Sequence, residues 1–143
     1  MADVVLDANV LVGLFDRNDA LHVNATRLVG RITSTGDTAV LLDFCLAEAL
    51  SVLCRRARER KANPPDLGAI FGEVRRLNDA GKVERVPEPG TTFGAVLDVM
   101  DAMAGALNFN DALLVVLQRE GAIGDVASFD RALDTAEGFR RLG

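Results

Sequence analysis

The chain has no tryptophan and no tyrosine, a single histidine and only two cysteines. Each shortage closes a route. Without Trp or Tyr, stacking on a nucleic-acid base falls to Phe or Arg. With His22 alone, a ribonuclease mechanism built on paired histidines is excluded. No Ser-His-Asp or Cys-His arrangement stands out either. Cys45 and Cys54 would lie on opposite faces of one helix, so they cannot pair within it. Their spacing fits no zinc motif, and both are expected as reduced core residues. No apolar run approaches the roughly 18 residues of a membrane span. The opening Met1-Ala2-Asp3 carries no positive charge and no cleavage site, so a cytoplasmic protein is expected. Positive charge is also short. Sixteen Lys and Arg against 21 Asp and Glu leave a net charge of −5, which argues against a sequence-nonspecific DNA coater.

What remains is apolar and regularly patterned. Hydrophobic residues make up 49% of the 143, enough for one ordinary domain over 1–143 with a real core. Val4 to Asp7 reads as a short buried strand, followed by a helix from near Asn9. A helix is expected from about Asp19 to Ile32, with Leu21, Ala25, Leu28 and Val29 on one face. Thr38 to Leu42 reads as a second strand. Asp43 suits the N-cap of a helix running to about Lys61, which Asn63-Pro64-Pro65 breaks. Asp66 opens a helix to about Ala80, with Gly81 just past its end. Val83 to Val86 reads as a third strand and Pro87 to Gly90 as a loop. Helices follow over about 92–106 and 110–120, and Asp125 to Ser128 forms a fourth strand. Apolar strands alternating with helices imply an α/β fold, a parallel sheet covered on both faces. Ligands of such sheets sit at the carboxyl ends of the strands.

Four carboxylates stand in or beside apolar runs. Asp7 ends Val4-Val5-Leu6. Glu48 is the only charge between Phe44 and Cys54. Asp111 opens Ala112 to Leu117, and Asp130 follows Val126-Ala127-Ser128-Phe129. A buried carboxylate must be paired, hydrogen-bonded, neutralised or bound to a metal. No Arg or Lys stands next to Glu48 or Asp111 in those runs. Asp7 and Asp130 fall just beyond strand ends, and all four acids can reach one sheet edge. Together they suggest a shared site for a hard divalent cation, Mg²⁺ or Mn²⁺. Taken singly, each has a plainer role. Asp7 could cap a helix, Glu48 could pair with a distant Arg, and Asp111 could be an N-cap. Asp130 could be a turn residue, with Asp134 as its rival.

Five basic residues fall within seven positions: Arg55, Arg56, Arg58, Arg60 and Lys61. Two readings stay open, a solvated helix end suited to the macrodipole and a patch contacting RNA phosphate or a protein partner.

Val4-Val5-Leu6-Asp7-Ala8-Asn9-Val10-Leu11 resembles the opening signature of PIN domains. Phe44-Cys45-Leu46-Ala47-Glu48-Ala49 resembles their second acidic motif. Leu107-Asn108-Phe109-Asn110-Asp111-Ala112-Leu113 resembles the third, and Val126-Ala127-Ser128-Phe129-Asp130-Arg131 the fourth. Size and motif order are similar to VapC-type toxins of bacterial toxin–antitoxin pairs. The resemblance implies a PIN-like fold, a central parallel sheet of four or five strands flanked by helices. It implies a Mg²⁺- or Mn²⁺-dependent endoribonuclease, a cognate VapB-like antitoxin and a homodimer. Asp7, Glu48 and Asp111 match the acids that hold the metal and its water, and Asp130 matches the fourth. Asn9 and Ser128 match supporting polar positions, with Asn110 a further candidate. Leu21-His22-Val23 resembles a helix start common in such toxins; on its own, His22 reads as a partly exposed helix residue. Two departures stand out: Ala132 where many members carry another acid, and a short end after Asp134 without a clear apolar strand. The alternative is a non-catalytic PIN-like module that binds RNA or protein. A phosphatase or receiver built on an aspartyl-phosphate is disfavoured, because Asn9 replaces the second Asp and no Lys follows Lys82.

Overall fold

A computed structural model describes residues 1–86 and 92–143. In chain order, β1 is Asp3–Leu6, α1 Ala8–Phe15, α2 His22–Ser34, β2 Thr38–Leu42 and α3 Asp43–Glu59. Then come α4 Leu67–Asp79, β3 Val83–Glu84, α5 Thr92–Ala102, α6 Phe109–Arg119 and β4 Asp125–Ala127. A 3₁₀ turn over Arg131–Thr135 leads to β5, Arg141–Leu142. The expected loop at Pro87 to Gly90 lies outside the described residues.

The five strands form one sheet in the order β3-β2-β1-β4-β5, every neighbouring pair parallel. β1 is central. Val5 pairs with Val40 on one side and Val126 on the other. That explains its unbroken apolar run: a central parallel strand is covered on both faces, and Val4, Val5 and Leu6 are buried. One apolar cluster joins the sheet to α1, α2, α3 and α4. A second joins α5, α6 and the 3₁₀ turn. Every residue of α6 from Asp111 to Gln118 is buried, so the helix enters the molecule from its exposed first residue, Phe109, within one turn.

Several boundaries differ from the sequence expectation, each for a local reason. The helix after β2 begins at Asp43 itself, and the carboxylate accepts from the adjacent Phe44 N–H without capping a turn. α5 stops at Ala102, short of the expected 106, because Ala104 and Gly105 turn left-handed at φ 51° and 80°. Gly105 N–H there donates back to the Met100 carbonyl, and glycine takes that conformation without a Cβ penalty. The third strand is two residues long, not four. β5 does form, although it is only Arg141–Leu142. Gln118 holds it: its Nε2 donates to the Gly124 and Arg140 carbonyls, and its Oε1 accepts from Arg140 N–H.

α1 and α2 lie close. A Cβ on Gly13 would stand 2.9 Å from that of Ala25, a contact only glycine avoids. The half-buried His22 seals the same junction, its Nδ1 donating to the Gly13 carbonyl at 2.7 Å. A carbonyl only accepts, so the proton is on Nδ1. Cys45 is buried, Cys54 half-buried, and both are free.

Candidate active site

Asp7 is the first residue past β1, and its N–H still donates to the Ala127 carbonyl of β4 at 2.9 Å. The pairing sets Asp7 beside Ser128, one residue past β4. Ser128 is fully buried, and its hydroxyl donates to Asp7 Oδ2 at 2.7 Å. Asp7 Oδ1 accepts from Ala8 N–H at 2.7 Å. The Ser128 oxygen in turn accepts from Asn9 Nδ2 and from Asp130 N–H, both at 3.0 Å. Asn9 Oδ1 accepts from Phe129 N–H. One hydroxyl thus ties together the turns after the two central strands, and with them Asp7, Asn9 and Asp130.

The other two acids come from helices. Glu48 projects from α3, one turn past its start, and its Oε2 accepts from Asn110 Nδ2 of α6 at 3.2 Å. Asp111 is not the N-cap of α6. Asn108 is, its Oδ1 accepting from Asp111 N–H at 2.9 Å. That frees the Asp111 carboxylate to face inward. Asp7, Glu48, Asp111 and Asp130 all line one cleft of about 240 Å³, with Asn9, Asn108, Asp19 and Arg56 also on its wall. Asp134 does not join them. It forms a two-point ion pair with Arg141.

The charges in the cleft disfavour one another. Burial pushes the Asp111 carboxyl up to about 6, and Asp7, Asp130 and Glu48 add to the shift. Burial also raises Asp7, against the hydrogen bonds from Ser128 and Ala8, and Glu48 and Asp130 act in the same upward sense. Burial and the surrounding carboxylates hold the Cys45 thiol far above its ordinary value, which leaves it an inert core residue.

Among the described residues, the one cation on the cleft wall, Arg56, is already committed. Arg56 bonds Asp16 at 2.9 Å and Asp19, and Arg60 reaches Asp16 at 3.0 Å. Burial raises the Asp16 carboxyl, but hydrogen bonds from Arg56, the Asn18 N–H and Arg60 outweigh it and hold the group low. This network revises the reading of the basic run. Arg56 in the last turn of α3 and Arg60 just past its end fasten the helix to the segment between α1 and α2, while Arg55, Arg58 and Lys61 are exposed. The acids Asp16 and Asp19 and the cap Asn108 carried no assignment from sequence. Two signals were present: the i, i+4 arginine pair, and Asn three residues before Asp111, a capping spacing.

Among the described residues no ion pair reaches Asp7, Glu48, Asp111 or Asp130. Nor, among them, is any group of three acids drawn together tightly enough to ligate one ion. The donor set is nonetheless all carboxylate and amide oxygen, with no thiolate or imidazole on the wall. That chemistry fits a hard cation that keeps much of its own water. Ala132 offers no acid, and its N–H holds Asp130 Oδ1 at 2.9 Å.

Fold and cleft together define a parallel α/β domain with a carboxylate site at the carboxyl edge of its central strands. Residues 4–138 match the family profile of the PIN domain, and the chain belongs to that family. PIN domains are generally nucleases that use divalent metals. The crystal structure of PAE2754 from Pyrobaculum aerophilum shares the fold, with a TM-score of 0.61 at 19% identity, over 98% of this chain and 83% of that one. No curated protein matches the chain. Among the described residues no helix is long and apolar enough to cross a membrane.

Proposed function

We propose that the protein is a metal-dependent endoribonuclease that hydrolyses RNA in the cytoplasm, of the toxin type restrained by a cognate VapB-like antitoxin. One observation carries the reading. Four carboxylates from β1, α3, α6 and the end of β4 share a cleft whose one arginine is spent on other acids. Asp7, Glu48 and Asp111 would hold Mg²⁺ or Mn²⁺, with Asp130 at the margin. When bound, such an ion supplies a Lewis acid that makes water more acidic and stabilises charge on a phosphoryl oxygen.

The chain supplies orientation. Ser128 and the Ala8 N–H fix both oxygens of Asp7, Asn110 aims Glu48, and Asn108 sets the first turn of α6 so that Asp111 faces the cleft. Burial of Asp7 and Asp111, 4% and 8% exposed, strengthens every charge interaction there. Water attacks phosphorus and the 3′-oxygen leaves, giving a 5′-phosphate and a 3′-hydroxyl. The route through the ribose 2′-hydroxyl needs a paired acid and base, and His22 is bonded to Gly13 outside the cleft wall.

The uncompensated acids also suit an antitoxin arginine, which offers a bidentate fork to a carboxylate. Family resemblance supports a homodimer, which light scattering would read directly. The test of function is a brief pulse of expression followed by sequencing of RNA ends, wild type against Asp7→Asn. New ends at defined sites in the wild type alone, with growth arrest relieved by the antitoxin, are the expected result. Identical ends in both strains would overturn it.

A further inference from the structure

Beside the acidic cleft lies a second groove of about 420 Å³, walled by Arg27, Arg31, Arg131, Arg141 and Phe129. It adjoins the cleft: Leu21 lines both, and Arg131 directly follows the cleft acid Asp130. Arg27 and Arg31 stand four apart on α2 and share a face. They and Arg131 are exposed, and among the described residues none of the three has a carboxylate within ion-pair distance. Arg141 differs. It is bound by Asp134, and its Nη1 donates to the Ser128 carbonyl, so it fixes the wall. Phe129 lines the same groove, half-buried and packed at its base against the core. Three unpaired guanidiniums in one groove on a chain of net charge −5 are a local feature, not a basic surface at large.

We propose that this groove is the track for the single-stranded RNA backbone on one side of the scissile phosphate. Arg27, Arg31 and Arg131 contact successive phosphates, and Phe129 offers a ring for a base. A cationic groove with an aromatic ring is the recurring chemistry of single-strand binding. The proposal rests on the nuclease reading, but its test does not depend on cleavage.

The test measures anisotropy of a labelled twelve-nucleotide oligouridylate with the Asp111→Asn protein in Mg²⁺, across a salt series. The groove triple Arg27→Gln, Arg31→Gln, Arg131→Gln is compared with a charge-matched triple at the opposite edge of the sheet, Arg75→Gln, Lys82→Gln, Arg85→Gln. All six positions are exposed, and melting curves check folding. Loss of three phosphate contacts should lower the salt slope by about 2 and weaken binding up to roughly 100-fold at 0.1 M salt. The opposite-edge triple should bind as the parent does. Equal slopes in both triples, or no binding by the parent, would overturn the track. A wild type that cuts RNA while the triples bind alike would reject the groove and leave the nuclease standing. Groove-dependent binding by a protein that cuts no RNA would do the reverse.

Discussion

At Asp111, burial and three neighbouring carboxylates act in the same direction, holding the proton to about pH 6. An acid whose folded pKa lies above its unfolded value stabilises the fold below the unfolded pKa, near 4. That contribution is lost as pH rises through the folded value. Metal-free protein should therefore lose about 2 kcal/mol of stability from this group between pH 4.5 and 7. Denaturant titrations in EDTA at the two pH values should show a loss in wild type that is smaller by about this amount in Asp111→Asn. Asp7 is shifted in the same sense and adds to it. A wild type no less stable at pH 7 than at 4.5, relative to the variant, would contradict this electrostatic account. Asp7→Asn, Glu48→Gln and Asp111→Asn should each abolish RNA cleavage while leaving the protein folded, and Asp130→Asn should be milder. Ser128→Ala leaves Asp7 Oδ2 without its donor and removes the acceptor of two N–H groups. It should cost roughly 10- to 100-fold in activity and about 1–3 kcal/mol in stability, read from initial rates and urea unfolding.

The elements follow from the sequence where local and tertiary signals agree. β1, β2 and the body of α6 stand out because interior parallel strands and a helix buried from Asp111 to Gln118 leave apolar runs that any pattern reading finds. The acids were legible for the same reason, since each interrupts or ends such a run. Element ends were not. Ala104 enters the left-handed region at an exposed turn, and nothing in its identity announces that. β5 was doubtful in sequence because its two residues make no apolar pattern; its ladder with β4 is reinforced by one distant side chain, Gln118. Gln118→Ala should loosen β5 and raise hydrogen exchange at Val126 and Ser128, whose N–H groups donate to the Arg140 and Leu142 carbonyls. Unchanged exchange would remove Gln118 from that role. The Asp16–Arg56–Arg60 network was hidden because its partners are about 40 residues apart in sequence. Asp16 is 1% exposed, and a buried charge stripped of its partners is expensive. The double variant Arg56→Gln, Arg60→Gln should lose about 3–5 kcal/mol. Charge changes at these two positions therefore report on folding before they report on RNA.

For the molecule as a whole, a cation that binds the folded cleft and not the unfolded chain must stabilise the fold. At 100 times Kd the gain is about 2.7 kcal/mol, visible as a higher Tm with Mn²⁺ or Mg²⁺. The gain should vanish in Asp7→Asn. No shift in wild type at millimolar metal would count against a cation site in the cleft.

The most direct measurement is the chemistry of the RNA ends left by purified protein. Wild type with Mg²⁺ or Mn²⁺ should cut single-stranded RNA to 5′-phosphate and 3′-hydroxyl ends, and a substrate with one 2′-deoxy sugar at the cleaved position should still be cut. EDTA, Asp7→Asn and Asp111→Asn should each stop the reaction. Cyclic 2′,3′-phosphate ends, or cleavage that persists in Asp7→Asn, would contradict an acid cleft that directs water at phosphorus.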